Sequence, residues 1–457
     1  MATVATIDAE RIEALSGTFS GALLQPGDDG YEEARRVHNG LIDKRPALIA
    51  RCHGTADVVD AIALAREAGL EISIRGGGHN VGGRAVSDGA LMIDLAEMKG
   101  IHVDPDVRTV RAQGGVTWAE FNRETAVHGL AVTGGLVSTT GVAGYTLGGG
   151  LGWLMGILGL AADNLTSVEL VTADGDVLNV TEQSHPDLFW ALRGGGGNFG
   201  VATSLEYRLH PLREVTAGLV AHPFDAAPEV FRFFREFTAS VPDELGVIYG
   251  LVHAPDGSGA KLAVIAVCHA GPTKQAERDI APVREFGSPV LTEIGRMPYP
   301  VSNTLLDAGY PRGALNYWKS SFLKDLDDAL IDAAVKAFAA TPSPMTLIGL
   351  EQFHGAVTRV GVTETAVPHR EPGYSLLITS VWMEPEATEE NIAWTRATYD
   401  AFRPYFVERR WLNYLVDDDG TDAVRAAYGP NYERLAEIKR KYDPENVFHL
   451  NHNIEPA

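Results

Sequence analysis

"RGGGHNVGGRAVSDG" (residues 75–89) follows directly on "EISIR" (71–75), a short run that reads as a β-strand. Three consecutive glycines lead into His79 and Asn80, and two more stand at 82 and 83. Each glycine loses more conformational freedom on ordering than any other residue, so such a run fits a main chain that must approach something closely. Two further clusters lie downstream, "TTGVAGYTLGGGLGW" (139–153) and "RGGGGNFG" (193–200). Successive backbone N–H groups in glycine-rich turns form nests for anions such as phosphate oxygens. Any one cluster reads equally well as a tight turn without a ligand. Three together suit an extended diphosphate ligand better than a single phosphate.

Around these clusters the first half alternates short strands and helices. "ALIAR" (47–51), "LMIDL" (91–95), "IHVD" (101–104) and "TVRAQ" (109–113) read as strands. Thr55 is placed to cap the helix "ADVVDAIALAREAG", and "TWAEFNRETAVHG" (117–129) reads as a helix closed by glycine. "VELVTADGDVLNVT" predicts a hairpin around Asp174-Gly175. After "EYRLHPL" (206–212) the glycine clusters stop, and longer strands such as "LAVIAVCHAG" and "SLLITSVWME" alternate with amphipathic helices. The tail "RLAEIKRKYDPENVFHLNHNIEPA" predicts a basic-faced helix, a proline stop and an extended end. The divisions expected are 1–212, with its core from about 43, then 213–414, then a C-terminal segment 415–457.

The third cluster contains the spacing G-x-G-x-x-G at Gly195, Gly197 and Gly200. A dinucleotide-binding turn of that kind must follow a strand and open a helix. Here a helical "PDLFWALR" precedes it and the alternating "VATSLEYRL" follows, so the order is reversed and that reading fails. No Gly-Lys-Ser/Thr loop occurs either.

Composition narrows the partners. A net charge of −22 argues against nucleic acid or an anionic membrane surface. The two cysteines, Cys52 and Cys268, lie far apart and supply neither a disulfide framework nor a thiolate metal site. The opening "MATVATIDAERIEALSGTF" lacks a basic stretch and an apolar core, and no apolar run approaches the roughly 20 residues of a spanning helix. These features predict a cytoplasmic protein.

Four blocks, "IRGGGHNVGG", "GVAGYTLGGGLGWL" with "GLAADNLTSVELVTADG", "HPDLFWALRGGGGNFGV" and "KYDPENVFHLNHNI", resemble the vanillyl-alcohol-oxidase-like, or berberine-bridge-enzyme-like, FAD-linked oxidases. They span most of the chain, and the likeness is greatest to the bacterial single-chain branch, of the kind that oxidises hydroxynicotine or serves polyketide pathways. The resemblance implies an α+β, two-domain fold with a PCMH-type FAD-binding domain and an antiparallel-sheet substrate domain capped by helices. It implies FAD lying extended across the first domain, with His79 bonded covalently to the 8α-methyl of the isoalloxazine. A lone loop histidine is otherwise more often a surface or capping residue. A histidyl link should raise the flavin's reduction potential. Many relatives carry a second link from a cysteine just before the middle cluster; Val137 stands there, so one bond, through His79 only, is expected.

By position, the resemblance assigns further flavin contacts to Arg75, Gly76, Gly77, Gly78, Asn80, Gly82, Thr139, Thr140, Gly141, Gly144, Gly148, Gly149, Gly150, Asn164, Gly200, Val201, Asn451 and Asn453. In "HLNHN", alternate residues of an extended strand would aim Asn451 and Asn453 at the ring together. The two tail histidines lack an acidic or thiolate partner and predict no metal. Thr140 takes a place beside the reactive flavin edge, where a small residue is compatible with direct use of oxygen.

Oxidation of an alcohol or amine carbon needs a base for the O–H or N–H proton. In "MTLIGLEQFHG" (345–355), Leu347, Gly349 and Glu351 share one face of a strand, and Ile348 and Leu350 the other. A carboxylate facing an apolar site has a raised pKa and suits that task; an exposed strand glutamate without a role is the alternative. "RRWLNYLVDD" (409–418) resembles a Tyr-x-Asn-Tyr stretch of the family, with Trp411 in place of the first tyrosine and Asn413 and Tyr414 retained. Tyr414 reads as a base, a hydrogen-bond donor or a half-buried aromatic. Tyr249, Phe353 and Trp382 suggest a partly apolar cavity, and core packing accounts for them equally well.

The sequence thus predicts an FAD-linked oxidase acting on a small organic alcohol, amine or polyketide-like compound, with molecular oxygen as acceptor and hydrogen peroxide as product. A dehydrogenase using another acceptor, and a non-catalytic flavin-binding redox partner, are the alternatives.

Overall fold

Leu48, Ile49 and Ala50 are fully buried in the strand Leu48–Arg51, which explains why it reads as an unbroken apolar run rather than an alternating one. The structure, a computed structural model, describes residues 9–416, 418 and 420–457. Leu48–Arg51 lies parallel to Leu91–Asp94, which lies parallel to Ile72–Arg75, and Ala22–Leu24 adds an antiparallel edge. Helix Thr55–Ala68 packs Val58, Ala61, Ile62 and Ala65 into the same core. Thr55 is not its cap. Gly54 holds that position, and the Thr55 hydroxyl donates to Glu169 Oε1 at 2.7 Å, fastening the helix to the second sheet. The far end closes on Gly69, with φ of 65°.

The second sheet is antiparallel, in the order Ile101–Asp104, Thr109–Gln113, Val201–Arg208, Leu165–Val171, Val177–Thr181. The hairpin around Asp174-Gly175 forms with Gly175 at φ 83°. Helix Pro186–Leu192 leads into the third glycine cluster, which then opens the strand at Val201. That helix–loop–strand order is the reverse of a dinucleotide-binding turn.

Residues 214–407 contribute an eight-stranded antiparallel sheet with Glu214–Pro223, Lys261–His269, Leu245–His253, Leu347–Phe353, Gly373–Trp382 and Leu315–Leu323 side by side, flanked by Leu291–Pro298 and Phe406–Val407. Helices Ala227–Thr238, Thr273–Glu285, Asp328–Ala339 and Thr388–Phe402 cover one face, burying Phe231, Phe234, Ile280, Phe338 and Phe402 against Tyr249, Ile348, Leu350 and Ile378. The opposite face roofs the candidate site. Tyr249 belongs to the helix-covered core, Phe353 to a separate buried cluster, and Trp382 is fully buried with its indole N–H donating to Thr388; none of the three lines the cavity. Core packing is their role.

Buried polar links join this sheet to the glycine-rich half. Arg370 makes two 2.7 Å bonds to Asp163, and Asn39 exchanges hydrogen bonds with the backbone of Asn316. Among the described residues no helix is long and apolar enough to cross a membrane, and both cysteines are free and buried. The first eight residues of the opening stretch lie outside the described residues.

The tail departs from expectation twice. Helix Tyr432–Tyr442 ends before Pro444 as predicted, but Lys439 in its last turn is wholly buried rather than on a basic outer face. Beyond it, the segment 446–457 is not a strand: the Asn451 N–H turns back to the His449 carbonyl at 2.8 Å.

Candidate active site

A cavity of about 830 Å³ lies between the glycine-rich loops and the large sheet. Gly76, Gly77, Gly78, His79 and Asn80 form part of its wall, and Thr140, Gly141, Gly144, Gly148, Gly200 and Asn451 adjoin them. Backbone meets backbone here. A Cβ on Gly77 would stand 2.4 Å from the Gly141 nitrogen, and one on Gly141 would stand 2.4 Å from the Gly77 nitrogen. Gly78 adds a left-handed turn, φ 66°. Among the described residues, the N–H groups of residues 77–80 donate no hydrogen bond, which leaves a set of main-chain donors at the wall.

The remaining assigned contacts lie off this wall. Arg75 is buried and spends its guanidinium on Asp94, with Nε donating to Oδ1 at 2.8 Å, and on the Arg36 carbonyl at 3.1 Å. It fixes the strand end from which the loop departs. Asn164 donates to the Leu158 and Leu160 carbonyls at 2.9 Å and pairs with His210, so its amide holds a turn. Gly149 and Gly150 make a left-handed turn whose carbonyls accept from Ala162 and Ala161. Thr139 faces outward, Gly82 is buried behind the loop, and Val201 belongs to the core beneath the first sheet. Asn453 sits off the wall, because the tail turns where an extended strand was expected; His452 lines the cavity instead.

Strand Leu347–Phe353 keeps its alternation: Leu347, Gly349 and Glu351 line the cavity while Ile348 and Leu350 sit in the core behind. Glu351 is 6% exposed, and the Tyr414 hydroxyl donates to its Oε1 at 2.9 Å. Burial raises the Glu351 carboxyl to about 7, against the opposing pull of the Ser375 and Tyr414 hydroxyls. Oε2 is buried without a well-aligned partner, although the Ser375 hydroxyl lies beside it. Burial and the Glu351 charge hold the Tyr414 phenol well above its ordinary value. In this arrangement its hydroxyl is a donor to Glu351. Asn413 donates to the Tyr145 carbonyl at 3.1 Å, and a Cβ on Gly148 would come within 2.5 Å of its Nδ2. Trp411 is packed against Gly149 and stacks edge-on with Phe353, so no phenol stands at that position.

At the loop end, the His79 and His38 rings are stacked with centroids 3.8 Å apart. Burial, reinforced by His38, lowers His79 to about 3, and burial with Arg312 lowers His38 to about 4. Both rings are neutral at pH 7. His79 Nε2 is buried without a hydrogen-bond partner.

Comparison with known proteins accords with this geometry. An FAD binding domain family matches residues 46–181, and a family described as berberine and berberine like matches 411–455. The (R)-6-hydroxynicotine oxidase of Paenarthrobacter nicotinovorans is 32% identical, over 96% of this chain and 97% of its own. An FAD-linked oxidoreductase of Dictyostelium discoideum is 31% identical, over 96% of this chain and 95% of its own. The crystal structure of 6-hydroxy-D-nicotine oxidase from Arthrobacter nicotinovorans superposes with a TM-score of 0.87 at 30% identity, covering 96% of this chain and 99% of that one. The chain belongs to the berberine-bridge-enzyme-like family of FAD-linked oxidoreductases. It is an FAD-dependent enzyme.

The wall of this flavoenzyme fits that cofactor on two observations besides the free N–H groups. Gly144 sits inside the helix Val142–Leu147, where glycine is about 1 kcal/mol worse than alanine. Yet a Cβ there would meet no protein atom within 4 Å, and the same holds at Gly197. Both line the cavity, so the space their side chains would fill belongs to the ligand.

Sequence reasoning missed the clamp that places the tail. Asn198 donates to the carbonyls of Gly195 and His452 and accepts from the Ile454 N–H, while the Tyr428 hydroxyl donates to the same two carbonyls. Buried Lys439 bonds Asp443 at 2.6 Å, the Asn198 carbonyl at 2.7 Å and the Phe448 carbonyl at 3.0 Å. The one polar residue in "GGGGNFG" was the available signal. Arg84, Tyr145, Tyr310 and Trp318 on the wall, and His38 under His79, carried none.

Proposed function

We propose that this enzyme is an oxidase of uncharged, largely apolar alcohols or amines, polyketide-like compounds included, with molecular oxygen as electron acceptor and hydrogen peroxide as product. The observation that carries this reading is Glu351: a buried carboxyl titrating near 7, on the roof of the same cavity whose opposite wall is the glycine cradle. Bound FAD supplies the acceptor for a hydride. Glu351 takes the proton from the substrate O–H or N–H, and Tyr414 holds Oε1 so that the carboxylate keeps one orientation. Asn413 anchors the wall to the middle cluster and leaves its buried Oδ1 for the flavin or substrate. His79 would form the single covalent attachment, Val137 standing where a second would come from, and the small Thr140 on the wall is compatible with direct use of oxygen.

The substrate class follows from the rest of the wall. Leu305, Leu306, Met345, Leu377, Tyr310 and Trp318 line the same cavity as Glu351. Among the described residues Glu351 is the only carboxylate on the wall and Arg84 the only guanidinium or ammonium, and Arg84 donates to the tail at the Asn451 carbonyl. An anionic substrate would face the Glu351 carboxylate, and a sugar's many hydroxyls would find few partners on this apolar wall. The activity named for the Paenarthrobacter relative supports a compact ring substrate.

The test is anaerobic bleaching of the yellow holoenzyme by a panel of benzylic alcohols, hydroxylated aromatic amines including 6-hydroxynicotine, and oligosaccharides, followed by peroxide assay under air. Bleaching by the aromatic compounds with peroxide release supports the reading. Bleaching without peroxide makes the enzyme a dehydrogenase, oligosaccharide preference overturns the substrate class, and no bleaching by any compound favours a redox carrier.

A further inference from the structure

A second, small cavity of about 10 Å³ lies against Glu351, sharing Leu136, Leu151 and Ile248 with the main one and matching the smallest space that holds one water. Its wall includes Leu136, Met155, Ile248, Glu351 and His354, of which Glu351 and His354 are the ionisable members. Glu351 therefore borders both cavities. Its Oε2 and both ring nitrogens of His354 are buried and lack well-aligned hydrogen bonds, and a water between them would satisfy Oε2 and one of the two nitrogens.

His354 continues outward. It is half-buried, and beyond it Asp243 and Arg359 form a 2.7 Å ion pair on the surface, 42% and 60% exposed. Two glycines let these groups close up. A Cβ on Gly156 would stand 2.3 Å from the Asp243 carbonyl and 3.1 Å from His354 Nε2, and one on Gly355 would stand 2.8 Å from Asp243 Oδ1.

We propose that His354, with one water in the small cavity, is the exit for the proton that Glu351 collects. The proposal rests on Glu351 being the base. A substrate seated in the main cavity covers Glu351 from that side, so the collected proton needs a second way out. The groups facing Glu351 there are Tyr414, Tyr145, Tyr310 and Ser375; all three phenols are held above their ordinary values, chiefly by burial, and none accepts a proton at neutral pH. On the other side His354 is kept neutral by burial, while the carbonyls of Pro242 and Gln352 and the Asp243 charge favour its protonated form and Arg359 opposes it. The balance is simple. The substrate O–H or N–H bond breaks and an O–H bond forms on Glu351; that bond then breaks as the water takes this proton and passes one to a His354 nitrogen, and the proton leaves the ring on the side of the exposed Asp243, where solvent receives it. The hydride pair goes to FAD, so no further oxidant enters.

His354 is thus a positioning residue acting through Glu351, and holoenzyme variants test it with the panel compound that bleaches the flavin fastest. In His354→Phe, and in His354→Gln, which cannot hold a proton, kcat should fall by roughly tenfold. KM and flavin content should stay unchanged, and the solvent deuterium isotope effect on kcat should rise. Added imidazole should restore His354→Gly. If kcat, its pH profile and the isotope effect match the unaltered enzyme in both variants while Glu351→Gln is slow, the relay is wrong and the base stands. If Glu351→Gln is also fast, both fall.

Discussion

The imidazole of His79 lies on that of His38, their centroids 3.8 Å apart and their planes inclined by 24°. The stack fixes the plane of the ring proposed to carry the flavin, and burial keeps both rings neutral, with a nitrogen lone pair free to attack. His38 is itself anchored, its N–H donating to the Gly78 carbonyl at 2.9 Å. Intact mass after acid denaturation should show one covalent FAD in the unaltered chain and none in His79→Ala. His38→Ala should slow attachment about two- to tenfold, as loss of a stacked ring implies, and His38→Phe should restore it. Full, equally rapid attachment in His38→Ala would leave the stack without a role.

Gly144 separates the demands of the fold from those of the cofactor. Because a Cβ there meets no protein atom, Gly144→Ala should stabilise the flavin-free chain by up to about 1 kcal/mol while lowering its capacity to retain flavin. Gly77→Ala should do the opposite to the fold: its Cβ would strike the Gly141 backbone at 2.4 Å, which no rotamer relieves. Thermal melts of the two apo variants, beside flavin absorbance after purification, check both.

Glu351 predicts a pH dependence in two observables. The base must be ionised to work, so kcat should rise through pH about 7 and level off above it. Glu351→Gln should lose the inflection and fall about 10²–10⁴-fold. Tyr414→Phe removes a hydrogen bond that lowers this pKa, and should move the inflection to higher pH.

Stability should move the other way. The folded carboxyl holds its proton up to about 7, whereas the unfolded chain releases it near the ordinary 4.5. Between those values folding takes up a proton, so stability falls as pH rises, by on the order of 3 kcal/mol for this group. Subtracting the Glu351→Gln melting profile from that of the unaltered protein should reveal this slope between pH 4.5 and 7, and no slope at all would contradict the burial of the carboxyl.

Lys439 and Asp443 are both wholly buried and joined at 2.6 Å. Lys439→Met leaves Asp443 charged and without its cation in the interior, which costs about 3–5 kcal/mol. It also frees the Asn198 and Phe448 carbonyls that hold the tail to the third glycine cluster. Chemical denaturation should show that loss, and flavin retention should drop with it.

Local rules determined much of this protein. The glycine loop after Ile72–Arg75, the hairpin at Gly175, the reversed order around Gly200 and the cavity-facing alternation of Glu351 follow from backbone freedom and side-chain period, both written in consecutive residues. Only the tertiary structure decided what those residues meet. It bound Arg75 to Asp94, gave Asn164 to a turn, folded "HLNHN" back on itself, stacked His38 on His79 and set Tyr414 upon Glu351. Tyr414 and Glu351 stand 63 positions apart, and Asn198 and Ile454 stand 256 apart. No local periodicity encodes such partners, because each arises where separate strands and loops are packed together to bury apolar surface, and a polar group brought inside must then bond whatever donor or acceptor the packing presents.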